Sequence, residues 1–238
     1  MHRHVEGVTL NNQHGVYMNE VVRRRGFRIT LLVAMFAPGL LVAPGAAGAQ
    51  ASNYPSLQIP TVSIRDYTGA IAAGNGTSLL FQWREGVDNA MHLGLDVGLT
   101  DRKGSENLLG FFGGVVGSQL LRAQGDQPLD LLLTGGIGMA FGGGITVLRV
   151  PIGASVGHTF ELEQGMALTP YVHPRVSMDL CSSCGRRGGR RSELSLNFDI
   201  GADYRVNRQL SLRLAAGFSG SDFFGSDDSF AIGLTWRP

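Results

Sequence analysis

Gly153, Ser155 and Gly157 stand in the G-x-S-x-G spacing that, on a sharp strand-to-helix turn, exposes a nucleophilic serine. Here the flanking residues alternate: Leu148, Val150, Ile152, Ala154 and Val156 against Arg149, Pro151, Gly153, Ser155 and Gly157. Ser155 therefore falls within a strand, and the motif reads as a by-product of glycine richness. His92, His158 and His173 are the imidazoles that could partner a serine in a lipid-modifying enzyme, but the sequence places no acid to orient any of them. Cys181 and Cys184 are the only cysteines. Two thiolates do not complete a four-ligand zinc site, and the pair lacks the βαβ setting of a redox helix, so no metal and no cofactor is expected. In an oxidising compartment the expectation is a local disulfide that braces a loop. Arg186, Arg187, Arg190 and Arg191 follow at once. Guanidinium groups make bidentate contacts to phosphate, so lipid phosphates are one reading of this cluster and a solvated, glycine-rich loop is the other.

The remaining chemistry is ionic and sits on strands. In 89–100, Met91, Leu93, Leu95, Val97 and Leu99 share one side, and His92, Gly94, Asp96, Gly98 and Thr100 share the other. The same split recurs in 192–205, where Asp199 and Asp203 fall on the polar side, and in 209–218, where Arg213 does. Arg149 and Arg175 take the same side of their segments. Asp96, Arg149, Arg175, Asp199, Asp203 and Arg213 thus form one polar face, which is costly to bury unless its members pair or meet water.

Counting segments gives about ten strands. Two weak ones lie before residue 89, at 64–73 and 79–83, linked by Gly74-Asn75-Gly76; if that pair stands apart, the count is eight. Residues 107–120 and 129–140 are apolar on both sides and studded with glycine. Pro170 and Pro174 each remove a ladder donor, which predicts a bulged or locally unpaired strand there. Residues 206–208 read as a short turn, 181–191 and 219–229 as long loops. No helical period survives after residue 50, so the fold class is all-β.

Upstream of the strands the pattern is that of export. Arg23, Arg24, Arg25 and Arg28 precede an apolar run at 29–42, broken by Pro38 and Gly39, and Ala47-Gly48-Ala49 supplies the cleavage pattern before Gln50. Residues 1–49 are read as a cleaved signal peptide, with 1–17 either a start-site artefact ahead of Met18 or a long basic leader. Residues 50–61 are then an N-terminal periplasmic segment and 62–238 a single β domain. From Gln50 onward about 15 basic residues face about 17 acidic ones, a net charge near −2, and nothing points to nucleic acid.

Two architectures fit alternating strands behind an export signal. A soluble periplasmic lipocalin-like barrel would turn the aliphatic residues inward, and its exposed face would normally carry lysine as protection against edge pairing. Lys103 is the only lysine after the signal, and the polar face is rich in glycine, alanine and serine. Small residues suit a narrow lumen, and a continuous aliphatic face suits lipid. With its last strand, Phe230-Ala231-Ile232-Gly233-Leu234-Thr235-Trp236, the chain resembles the small bacterial outer-membrane β-barrels, the porin-like families, over essentially all of 62–238. The family's strand ends on the aromatic; here Arg237 and Pro238 follow it.

The resemblance implies a closed antiparallel up-and-down transmembrane β-barrel in the outer membrane, surrounded by its lipids and assembled by machinery that reads the last strand. The expected function is structural or narrow-pore, without catalysis. A barrel enzyme acting on lipids and a soluble binding barrel are the alternatives.

Overall fold

The structure is a computed structural model that describes residues 54–103, 108–184, 189–220 and 228–238. The export signal of residues 1–49 and the arginines at 186 and 187 lie outside the described residues.

Eleven strands follow in order: β1 Arg65–Gly74, β2 Gly76–Asp88, β3 Met91–Arg102, β4 Leu108–Leu121, β5 Asp130–Gly142, β6 Ile145–Gly157, β7 Phe160–Glu161, β8 Ala167–Cys181, β9 Arg191–Arg205, β10 Leu210–Ser219 and β11 Ser229–Trp236. All pairings are antiparallel; most join consecutive strands, and two that do not, β1–β11 and β6–β8, close the ring. Tyr67 to Ala73 of β1 pair with Trp236 to Phe230 of β11, and Val147 to Gly157 of β6 pair with Cys181 to Tyr171 of β8. Ten strands therefore form a closed barrel, and β7 is a two-residue annex on the start of β8. The weak N-terminal pair is a full member, which decides ten over eight. Among the described residues the only helical element is one 3₁₀ turn, Glu163–Gly165.

The connections show why the sequence turns where it does. Asn75 alone joins β1 to β2, and Gly76 there has φ 151°, with room for no side chain because a Cβ would lie 2.1 Å from the Asp101 carbonyl oxygen. Residues 206–209 are short and 182–190 and 220–228 long, as read. Glycine lets β1–β2 and β5–β6 close as tight hairpins at the same mouth as the long loops. At Pro174 the β6–β8 ladder skips from Gly153 opposite Arg175 to Val156 opposite Val172, the local unpairing that a missing donor forces.

Period-two alternation sorts the side chains by face. Leu79, Leu95, Val176, Leu196, Ile200, Leu214, Ile232 and Leu234 point outward and are exposed. Inside lie the charged residues together with serine, threonine and glycine. Several inner glycines make room for a neighbour: a Cβ on Gly94 would sit 2.5 Å from Arg84 Cδ, and one on Gly201 would sit 2.3 Å from the Tyr171 ring. The lumen also holds large apolar side chains, Leu80, Leu109, Phe111 and Leu132, a difference from the small polar lining expected. They come mostly from 107–120 and 129–140, the segments apolar on both sides.

A closed ladder leaves no unpaired strand edge, and an oily belt around a polar interior is the reverse of a soluble barrel. Tyr67, Trp83, Tyr204 and Trp236 gather at the mouth where β1 begins and β11 ends, here the near mouth, as aromatic residues do at a membrane interface.

Candidate functional site: a lumen filled by the chain's own N-terminal segment

Even-numbered positions on β2 and β3 and odd-numbered ones on β6 and β8–β10 aim inward, so adjacent strands bring opposite charges together. Asp96, Arg149, Arg175, Asp199, Asp203 and Arg213 all lie inside the barrel with exposures of 1–6 %. Each finds a partner across a ladder. Arg149 grips Asp179 through two bonds of 2.7 Å, and Arg175 grips Asp199 through bonds of 2.7 and 2.9 Å. Arg84 donates to Asp96 at 2.6 Å. Arg213 bridges two carboxylates, Asp203 at 2.8 Å and Asp66 at 2.9 Å. Beyond the last strand Arg237 reaches Asp203 at 3.3 Å; burial and the nearby Arg213 charge lower its pKa, and Asp203 partly offsets them. Buried charges at this density are tolerable only because each of the buried arginines, Arg84, Arg149, Arg175 and Arg213, is paired.

The alternation of strands does not account for what fills the centre. Residues 54–60, expected in the periplasm, are buried inside the barrel. Pro55 and Pro60 keep this stretch out of any ladder. Its backbone groups are met by lumen side chains instead. The Ser56 carbonyl accepts from the Tyr171 hydroxyl at 3.0 Å, the Leu57 carbonyl from Arg213 at 3.4 Å, and the Gln58 carbonyl from Ser155 at 2.7 Å. The Tyr54 hydroxyl donates to Asp96 at 3.3 Å, and its ring lies 5.3 Å from that of Phe111. Toward the near mouth Gln119 holds both the Pro60 carbonyl and the Val62 amide at 2.9 Å, and His92 Nδ1 accepts from the Ser63 amide at 3.3 Å. Tyr54 meets β3 at its middle and Gln119 lies near the end of β4, so the segment runs from mid-lumen to the near mouth and there turns into β1.

This arrangement answers where the serine and histidines go. Ser155 spends its hydroxyl on the Gln58 carbonyl. His92 anchors the segment, and His158 lies beyond β6 against Phe160, ring centres 4.6 Å apart. His173 Nε2 meets Thr134 Oγ1 at 2.9 Å, while its Nδ1 stands 3.8 Å from Asp199, a carboxylate already held by Arg175. Hydroxyl, imidazole and acid thus occur in a row that the sequence could not reveal. The cavity that Thr134 and His173 border is about 30 Å³, room for about two waters.

Cys181 and Cys184 form a disulfide at the far end of β8. Arg190 and Arg191 are exposed at the start of β9, at the same mouth. Among the described residues no cluster of metal-ligating side chains occurs. Sequence reasoning missed Arg84, Asp66 and the whole of 54–60. Tyr54, Leu57 and Ile59 were the available signal, since an exposed linker has no use for three apolar side chains among seven residues.

No known protein family matches the sequence, and no curated protein does. Among solved structures the chain is similar to the KdgM porin in complex with disordered oligogalacturonate, at 7% identity over 73% of this chain and 99% of that one, with a TM-score of 0.38. It is similar to the β domain of the Bordetella autotransporter BrkA, at 9% identity over 72% and 97% of the chains, with a TM-score of 0.44. The N-terminal β-barrel domain of Pseudomonas aeruginosa OprF shows 10% identity over 72% and 95%, with a TM-score of 0.36. Likenesses this distant carry nothing about ligand or activity. On its own closed ladder, lipid-facing belt and polar interior, the chain is a ten-stranded transmembrane β-barrel, the architecture of outer-membrane barrel proteins.

Proposed function

We propose that this is a non-enzymatic outer-membrane barrel, sealed at rest by its own N-terminal segment, which acts as a structural element and conducts as a narrow pore only when that segment leaves the lumen. The observation that carries this reading is the burial of residues 54–60 among Asp96, Ser155, Tyr171 and Arg213. The non-enzymatic reading is supported by the surroundings of His173, whose neighbouring carboxylate Asp199 is already held by Arg175 through two bonds. The last strand, Phe230 to Trp236, is the segment through which assembly machinery would recognise the chain, and outer-membrane lipids are its surroundings.

The test is conductance in planar bilayers. The intact barrel is expected to be silent or nearly so, and a variant with residues 54–60 replaced by a glycine-serine stretch is expected to give discrete openings. Steady conductance from the intact protein, equal to that of the variant, would reject the seal. Lipid turnover by the intact protein, lost on Ser155→Ala or His173→Ala, would reject the non-enzymatic reading.

A further inference from the structure

On the lipid-facing wall at the near mouth, a groove of about 490 Å³ is lined by Arg65, Tyr67, Phe81, Trp83, Glu85 and Leu95. Its apolar part is built by register: Tyr67 stands opposite both Trp83 and Trp236, and Trp83 stands opposite Leu95. The Tyr67 ring stacks 5.6 Å from that of Trp236 and 6.3 Å from that of Phe81. Gly69, opposite Phe81 on the same outer face, has nothing within 4 Å of where a Cβ would stand, so the apolar surface continues as an open notch toward the membrane interior.

The rim is charged. Arg65 Nε donates to Glu85 Oε2 at 2.7 Å, and the two side chains are 52 % and 30 % exposed. A second bond, from Arg65 Nη2 to Glu85 Oε1 at 2.5 Å, makes the pair bidentate; it uses two of the five guanidinium N–H donors and leaves lone pairs on the carboxylate, so a headgroup can add to the pair without splitting it. The pair lies where aromatic residues mark the level of headgroups. A guanidinium there recognises a phosphate, and a carboxylate beside it recognises an ammonium that can donate N–H bonds. A purely anionic headgroup would set its phosphate against Glu85, and a quaternary ammonium has no proton to give. We propose that this groove binds a phospholipid whose headgroup carries both a phosphate and a primary ammonium, with an acyl chain laid over Phe81, Leu95 and the Gly69 notch.

The chain has two tryptophans, Trp83 in the groove and Trp236 beside it, so intrinsic fluorescence reports this wall and little else. The full protein would be reconstituted into vesicles of choline lipid containing a minor fraction of brominated phosphatidylethanolamine, phosphatidylglycerol or phosphatidylcholine. Bromine quenches a tryptophan it touches. The ethanolamine lipid is expected to be enriched at the tryptophans by about two- to fivefold over the other two, as one exposed charge-assisted contact allows. Glu85→Gln should lower it to the choline level, and Arg65→Gln should lower both phosphate-binding and ammonium-dependent enrichment. An unchanged heat-dependent gel shift would establish that each variant keeps its barrel. Equal quenching by all three headgroups in the unaltered protein, or a preference that survives both substitutions, would overturn the proposal.

Discussion

Arg213 is the place where a sealed lumen and a wet one differ most in energy. Its guanidinium donates to Asp203 at 2.8 Å and Asp66 at 2.9 Å, with weaker contacts to the Leu57 carbonyl at 3.4 Å and Thr68 at 3.3 Å. Arg213→Met keeps most of the volume and removes the charge. Asp203 retains Arg237, whereas Asp66, fully buried, is left with the Ser63 hydroxyl at 2.8 Å as its hydrogen-bond partner. Stranding a buried carboxylate costs about 3–5 kcal/mol, so the urea midpoint of the protein refolded in vesicles should fall steeply. Adding Asp66→Asn should restore most of the loss, since a neutral amide needs no counter-charge. In a water-filled channel the same pair would behave as an exposed one, worth about 1 kcal/mol or less. A loss that small for Arg213→Met, with nothing recovered by Asp66→Asn, would refute a packed, dry interior.

Three further outcomes follow from the same geometry. Gly201→Val puts a side chain where the Tyr171 ring lies and should cost about 1–3 kcal/mol or more by overpacking, read as a lower unfolding midpoint; a neutral effect would mean the Tyr171 ring is elsewhere. Ile232→Arg, midway along β11 on the outer face, should cost about 2–4 kcal/mol in bilayers, and a soluble, monomeric variant without detergent would contradict the lipid-facing assignment. Gln119→Leu removes both clamps on residues 60–62 and should raise the frequency of brief conductance openings; silence equal to the unaltered protein would place the seal further inside, at Tyr54 and Gln58.

The faces of the strands were legible because a period of two needs no knowledge of neighbours. Asp96, Asp199, Asp203 and Arg213 could be put on one side of the wall from their own segments alone. Their partners could not. Pairing Arg84 with Asp96 depends on the register of β2 against β3, which shifts between Gly86 and Asp88, and β4 against β5 shifts between Gln119 and Leu121. A shift of one residue changes every cross-strand neighbour, and sequence alternation carries no record of it. Ser155 was legible as a strand residue but not as a donor to the Gln58 carbonyl, since that contact joins residues 97 apart. Residues 54–60 escaped because two prolines erase any period in so short a stretch.

The inner face and the N-terminal segment explain each other. Ten tilted strands enclose more space than glycine, alanine and serine can fill, and a void or an unpaired charge in that space would be costly. Arginines from β2, β6, β8 and β10 fill part of it and demand carboxylates, which β1, β3, β8 and β9 supply. What remains is a channel whose walls present hydroxyls and guanidinium groups with donors to spare, and an extended backbone is a row of acceptors. Ser155, Tyr171, Arg213 and Gln119 each meet a carbonyl of that row. Val62 and Ser63 join the segment directly to β1, the strand that closes on β11, so the residues that fill the lumen and the seam that closes its wall are tied through a single strand.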